Sequence, residues 1–222
     1  MTISTENYLK AIVSHYMSTS EVIRTTQLSE LLDITPASVT EMVKKLSEKK
    51  YIIHEPYKGI KLTKHGEVLG LNVLRRHRLL ELFLSKCLDV SWDDVHEEAE
   101  NLEHAVSDML IDKIDIFLNY PKFDPHGDPI PQKDGNYPRY ESVSILADID
   151  ISSRVQVVRI SNDNKSFLNY ITSIKCKLGS DIEIQKKYDF DLSMDIQIDS
   201  QIIHISEFVS QHIWVIPNKI KK

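Results

Sequence analysis

Thr26-Gln-Leu-Ser-Glu-Leu-Leu32, the turn Asp33-Ile34, and Thr35-Pro-Ala-Ser-Val-Thr-Glu-Met-Val-Lys-Lys-Leu46 decide the fold of the N-terminal part of this chain. The first run is a short amphipathic helix, and Asp33-Ile34 is too brief to be anything but a turn. Thr35 is placed to cap a second helix, and Pro36 suits its first position, where a missing N–H costs nothing. A short helix, a tight turn and a longer helix opening on small polar residues is the helix-turn-helix pattern. A helix that reads base edges through its N-terminal end must keep bulky apolar side chains away from that end. Thr35, Pro36, Ala37, Ser38 and Thr40 meet this requirement, while Val39, Met42, Val43 and Leu46 form the face to be buried. Lys44 and Lys45 lie where phosphates would pass. Glu41 is the discordant residue, because a carboxylate repels phosphate and suits only the cytosine amino group.

Outward from this core the pattern continues. Glu6–Tyr16 reads as a preceding helix with Tyr8, Leu9, Ile12, Val13 and Tyr16 on one face and Ser4 or Thr5 as its cap. Tyr51–Leu62 reads as two short strands around a Lys58-Gly59 turn, a wing with Lys58 near its tip. Thr63 opens a further helix. Helix order and wing together favour DNA over a protein partner.

The net charge of −6 hides a strong asymmetry. Residues 1–80 hold 12 Lys and Arg against 8 Asp and Glu, whereas residues 81–128 hold 3 against 13. The acidic block is either a solvated face or a cation site, and spacing decides between them. His77 and Glu81 are four apart on a helix expected over Leu71–Cys87. On a second helix starting near Trp92, His96, Glu100, Glu103 and His104 fall within one stripe at about 100° per residue. Taken singly, His77/Glu81 reads as a surface ion pair and the second helix as a solvated acidic face. Together, three imidazoles and three carboxylates at repeated helical spacing point to a divalent cation. Oxygen and nitrogen donors without thiolate suit Mn(II), with Fe(II) as the alternative.

Composition closes off other classes. His96-Glu97 begins like a zinc-protease motif, but position 100 is Glu rather than the second His. There is no GxSxG, P-loop or glycine-rich dinucleotide motif, so the chain reads as a non-enzyme. No stretch has the apolar length to span a bilayer, and Met1–Lys10 is unlike a secretory signal, so the expected compartment is the cytoplasm with no membrane partner. Cys87 and Cys176 read as two buried thiols. A winged-helix regulator sensing a non-metal ligand, with the His/Glu cluster structural, stays open on these residues alone.

Pro121–Pro138 has a loop composition. Beyond it, Ser142–Leu146, Arg154–Ile160, Asp181–Gln185, Gln201–Ser206 and His212–Pro217 read as strands, with a short helix at Glu207. A small β-barrel accommodates them. Asp163 reads as an exposed loop carboxylate, with metal donation as its alternative.

The wing, Arg75-Arg-His-Arg-Leu-Leu-Glu-Leu-Phe-Leu84, the run Val95–Asp108 (VHEEAENLEHAVSD) and Phe123-Asp-Pro-His-Gly-Asp-Pro-Ile-Pro131 follow one another in an order that resembles the diphtheria toxin repressor family, its manganese-responsive branch above all. The resemblance covers the first 140 residues closely and the remainder loosely. It implies a mainly α protein with α+β parts: a winged helix-turn-helix over 1–70, a helical metal-binding and dimerisation domain over 71–140, and an SH3-like (FeoA-like) barrel over 141–222. It further implies a homodimer that binds a palindromic operator in double-stranded DNA and represses metal-uptake genes when metal is bound. Two sites per subunit are implied, one of Asn7, Glu100, Glu103 and His104 and one of His77, Glu81 and His96. Asn7 stands where the family commonly has Met or Asp, and Glu100 where the iron-responsive branch has Cys. Some manganese relatives use a Cys and a His in the motif matching Phe123–His126, which makes Asp124 and His126 further candidate ligands.

Overall fold

The computed structural model of the protein describes residues 1–55, 58–162 and 164–218. The chain divides into two compact units, Met1–Leu80 with Glu100–Tyr120 and Ile130–Tyr137, and Glu81–Ala99 with Pro121–Pro129 and Pro138–Lys222.

The first unit opens with α1 (Ile3–Thr19), α2 (Thr25–Leu31) and α3 (Pro36–Glu48). The cap of α1 is Thr2, whose side chain accepts from the Thr5 N–H, so the helix begins earlier than Ser4 or Thr5 would have it. Thr35 caps α3 by accepting from the Ser38 N–H at 3.3 Å. Val39, Val43 and Leu46 are buried on the inner face of α3, and each contributes about 1.5–3 kcal/mol of hydrophobic stabilisation. Met42 is only half-buried. The wing pairs β1 (Ile52–Glu55) with β2 (Gly59–Leu62) in antiparallel register from Ile52↔Leu62 to Glu55↔Gly59. Gly59 has a φ of +93°, and a Cβ there would lie 3.0 Å from the Ile23 carbonyl oxygen, so glycine is required.

The wing leads into α4 (Lys64–Leu88), a single helix of 25 residues that runs unbroken through positions 70 and 71. At Gly70 an added Cβ would meet the Leu9 carbonyl oxygen at 2.7 Å, so α1 crosses α4 at backbone contact. After α5 (Val95–Glu103) comes α6 (Asp108–Phe117), a helix the sequence reading did not assign, capped by Ser107. It is held to α4 by Arg75, whose buried guanidinium meets Asp115 at 2.7 Å and Asp112 at 3.4 Å.

In the second unit, β3 (Ser144–Ile145), β4 (Arg154–Ile160), β5 (Asp181–Lys187), β6 (Met194–Ile198), β7 (Gln201–Ile205) and β8 (Ile213–Pro217) form one antiparallel sheet in the order β3-β8-β4-β5-β6-β7. Register shifts fall between Val157 and Arg159 and between Ile184 and Lys186, where an extra residue bends the strand locally. Two helices accompany it, α7 (Lys165–Ser173) and α8 (Glu207–Gln211). Phe167, Leu168 and Ile171 of α7 join the core formed by the inward positions of the strands. The strand β6 and helix α7 are additional to the sequence reading. Cys176 is buried as expected, but Cys87 is exposed near the end of α4, where the apolar stripe has run out. Among the described residues, no helix is long and apolar enough to cross a membrane.

Candidate metal centre

The centre lies in the first unit, where α1, α4 and the last turn of α5 contribute polar side chains. His77 reaches Glu103, with Nδ1 2.7 Å from Oε2, and lies 3.7 Å from Glu100 Oε1. One donor atom each from His77, Glu100 and Glu103 falls within 4.8 Å of the others, the span of a single coordination sphere. Glu103 is fully buried. Burial pushes its pKa up, but the hydrogen bond from His77 and the charge of Lys10 outweigh this and hold it below the ordinary glutamate value. It is therefore an anion at neutral pH, acceptor-only, and the imidazole Nδ1 is the donor.

His104 follows the last residue of α5. Its Nδ1 lies 2.6 Å from Glu6 Oε2, so the carboxylate accepts from the Nδ1–H. Its Nε2 is buried, 3.2 Å from Glu103 Oε1, and takes part in no hydrogen bond. A carboxylate holding one imidazole nitrogen and leaving the other bare is the outer arrangement that orients metal-binding histidines. Asn7 Oδ1 is likewise buried without a hydrogen-bond partner. Asn7 sits on α1 between Glu6, which holds His104, and Lys10, whose Nζ binds Glu100 and Glu103. A buried imidazole nitrogen with an unused lone pair beside an ionised carboxylate, together with the His77, Glu100 and Glu103 donors, fits a divalent cation.

His77, assigned by resemblance with Glu81 and His96, thus contacts Glu103 of the other set. Glu81 follows His77 by one turn along α4. In the second unit Glu81 is buried and its Oε1 lies 3.1 Å from His96 Nδ1. Asp124 and His126 are also buried there, on the loop before the sheet. Asp124 Oδ1 accepts from the backbone N–H of His126 at 2.8 Å and of Asp128 at 2.9 Å, which folds the loop, and Trp92 stacks on His126. Asp163 lies outside the described residues.

Three participants escaped the sequence reading. Lys10 follows Asn7 by three residues and Glu6 by four, the two spacings that bring helical side chains together, so the spacing held the signal. Arg76, 3.4 Å from Glu6, belongs to the same network.

On the head, Pro36, Ala37, Ser38, Thr40, Lys44 and Lys45 are all exposed on one side of α3, as is Thr35 at its cap. Glu41 pairs with Lys45 at 2.6 Å, which offsets its repulsion of phosphate. Lys58 pairs with Glu55 at 2.7 Å beside the wing turn.

A winged helix-turn-helix joined to helices that gather imidazoles and carboxylates defines a class, the DNA-binding regulators that respond to a metal. Family models agree along the chain. The iron dependent repressor N-terminal DNA binding domain matches residues 1–60, the iron dependent repressor metal binding and dimerisation domain matches 63–132, and the FeoA domain matches 145–217. An HTH-type transcriptional regulator of Methanocaldococcus jannaschii, described as uncharacterized, is 38% identical over 118 residues, 53% of this chain and 94% of that protein. The HTH-type transcriptional regulator MntR of Oceanobacillus iheyensis is 36% identical over 121 residues, 54% of this chain and 81% of that protein. Among solved structures, a manganese-dependent transcriptional repressor in complex with manganese superposes with a TM-score of 0.90 at 35% identity, covering 96% of this chain and 99% of that one. The manganese regulator SloR gives 0.81 at 33% identity, covering 98% and 100%. The chain belongs to the iron-dependent repressor family, that of the diphtheria toxin repressor. It is a metal-dependent DNA-binding transcriptional regulator and not an enzyme.

Proposed function

We propose that this protein is a Mn(II)-activated repressor of metal-uptake genes, acting in the cytoplasm as a homodimer on a palindromic operator. Fe(II) is the alternative ion for the same donors. The observation that carries this reading is the buried His104 Nε2, without a hydrogen bond and 3.2 Å from the ionised Glu103. Oxygen and imidazole donors without a thiolate favour Mn(II) or Fe(II) over softer ions. Asn7, Glu100, Glu103 and His104 would form one site, and His77, Glu81 and His96 a second. Asp124 and His126 are further ligand candidates, although the Asp124 carboxylate already folds its own loop.

A bound divalent ion supplies positive charge that offsets the carboxylates. The chain's own part is to tie that event to the head. Asn7 lines a cleft with Tyr8, Leu32, Ser38, Glu41 and Lys45, so the same turn of α1 borders both the ligand cluster and the recognition helix. Occupancy of the cluster biases the head toward the arrangement in which two copies of α3 match half-sites about one helical turn, or a multiple, apart. Thr35, Pro36, Ala37, Ser38 and Thr40 face base edges in this reading, and Lys44, Lys45 and Lys58 face phosphate. The exposed apolar residues Met109, Leu110, Ile116 and Phe117 of α6 support dimerisation.

The test is binding of an operator fragment titrated with Mn(II), Fe(II) and Zn(II), with chelator reversal. Glu103→Ala and His104→Ala should abolish metal-activated binding while the far-ultraviolet circular dichroism stays unchanged. Operator binding that ignores both chelator and these substitutions would sink the reading.

A further inference from the structure

The Glu100/Glu103 pair is already engaged by a positive charge that belongs to the chain. Lys10 Nζ donates to Glu103 Oε1 at 2.8 Å and Oε2 at 2.9 Å, and to Glu100 Oε1. The ammonium therefore uses all three of its N–H donors on the two carboxylates. This is no loose surface pair, because the Lys10 side chain is 13% exposed and that of Glu103 is 0% exposed. Arg76 is directed to Glu6 instead. Lys10 places a full positive charge directly on Glu103, which also has His77 as a hydrogen-bonding neighbour.

We propose that Lys10 is an internal counter-cation of this site, one that a divalent ion must displace to bind, and that it thereby sets the metal concentration at which the protein responds. The inference rests on the metal-binding reading above and extends it to a residue outside the ligand set. The physical reason is exclusion. The ammonium and a metal ion need the same oxygen lone pairs, and two cations within one coordination sphere repel strongly at low dielectric. In the metal-free protein Lys10 keeps a buried carboxylate from standing uncompensated, which would otherwise destabilise the fold. In the metal-bound protein it must give up Glu103 and Glu100. The free energy of the Lys10 contacts is therefore subtracted from the metal affinity.

The experiment uses the full chain with Lys10→Gln, Lys10→Met and the charge-conserving Lys10→Arg, with Glu103→Gln as the ligand control. Mn(II) affinity is measured from the electron paramagnetic resonance signal of free Mn(II), and the thermal midpoint of the metal-free protein is measured in parallel. Lys10→Gln and Lys10→Met should bind Mn(II) about tenfold tighter or more, and their metal-free midpoints should fall. Lys10→Arg should stay near the parent in both readouts. Neutral variants that fold only after Mn(II) is added support the same conclusion, since the ion then replaces the missing ammonium. Unchanged or weaker Mn(II) binding in both neutral variants overturns the proposal while leaving the metal site standing. If the parent binds no Mn(II), or if Glu103→Gln binds it as well as the parent, the metal-binding reading itself fails and the role of Lys10 falls with it.

Discussion

His104 gives its Nδ1–H to Glu6 at 2.6 Å and so keeps Nε2 bare, buried and 3.2 Å from Glu103. One side chain from the first helix thereby selects the tautomer of an imidazole 98 residues further along the chain. Replacing Glu6 by Gln preserves shape but removes the charge that favours this tautomer. Mn(II) affinity is expected to drop by about 10–100-fold, the usual scale for an outer-shell partner. Calorimetric titration checks this, and an unchanged affinity would show that Glu6 does not orient the ligand.

Gly70 lets α1 approach α4 at backbone distance, with room for nothing between its Cα and the Leu9 carbonyl. Gly70→Ala must push the two helices apart, because the obstacle is backbone and cannot rotate away. A loss of about 1–3 kcal/mol is expected, typical of overpacking. Since α1 carries Glu6, Asn7 and Lys10, metal affinity should fall along with the urea midpoint. A destabilised variant with parental Mn(II) affinity would separate helix packing from the site.

Lys44 is exposed on α3 and, unlike Lys45, carries no ion pair with Glu41. Lys44→Ala should weaken DNA binding similarly for all sequences and flatten the slope of log K against log salt by about one unit. Fluorescence anisotropy at several salt concentrations measures this. A change confined to one base position of the operator would instead assign Lys44 to base reading.

Phe117 is 69% exposed at the end of α6, beside the exposed Ile116. Phe117→Lys should shift sedimentation from dimer to monomer without unfolding the chain. A variant that remains dimeric at low micromolar concentration would place the dimer contact elsewhere.

The two thiols should differ sharply. Burial pushes the Cys176 thiol up to about 12, so it stays protonated and unreactive across the neutral range. Because its folded value is raised, the native thiol resists the ionisation that an unfolded thiol undergoes at milder alkaline pH. Stability from this group is full below the ordinary thiol pKa and declines as pH rises toward 12. A thiol reagent at pH 8 should label one cysteine per native chain, Cys87, and two after unfolding. Rapid labelling of both in native protein would contradict the burial.

How far the sequence reached depended on whether a signal was local. The helix-turn-helix could be read because Thr35, Pro36 and the apolar spacing of Val39, Val43 and Leu46 act within a single helix. The bounds of strand β4 are legible because β-branched residues run through Arg154–Ile160 and alternate inward and outward as far as the bulge after Val157. In contrast, α6 went unassigned because Met109, Leu110, Ile116 and Phe117 are exposed and blur its helical period. Strand β6 does alternate, at Met194, Ile196 and Ile198, but it is short and sits among acidic and turn residues. Helix α7 is rich in aromatic and β-branched residues that also suit strands.

The amino-acid order alone determined the elements of the reading head, the acidic block and the helical stripe of His96, Glu100, Glu103 and His104, because each is written within a few turns of chain. Only the tertiary structure decided which groups meet. It brought Glu6 to His104, Lys10 to Glu100 and Glu103, and His77 to Glu103, across separations of 26 to 98 residues. The reason is physical. Helical periodicity orients a side chain about its own axis, but the crossing of α1 on α4, permitted by the missing side chain of Gly70, selects the partner it finds.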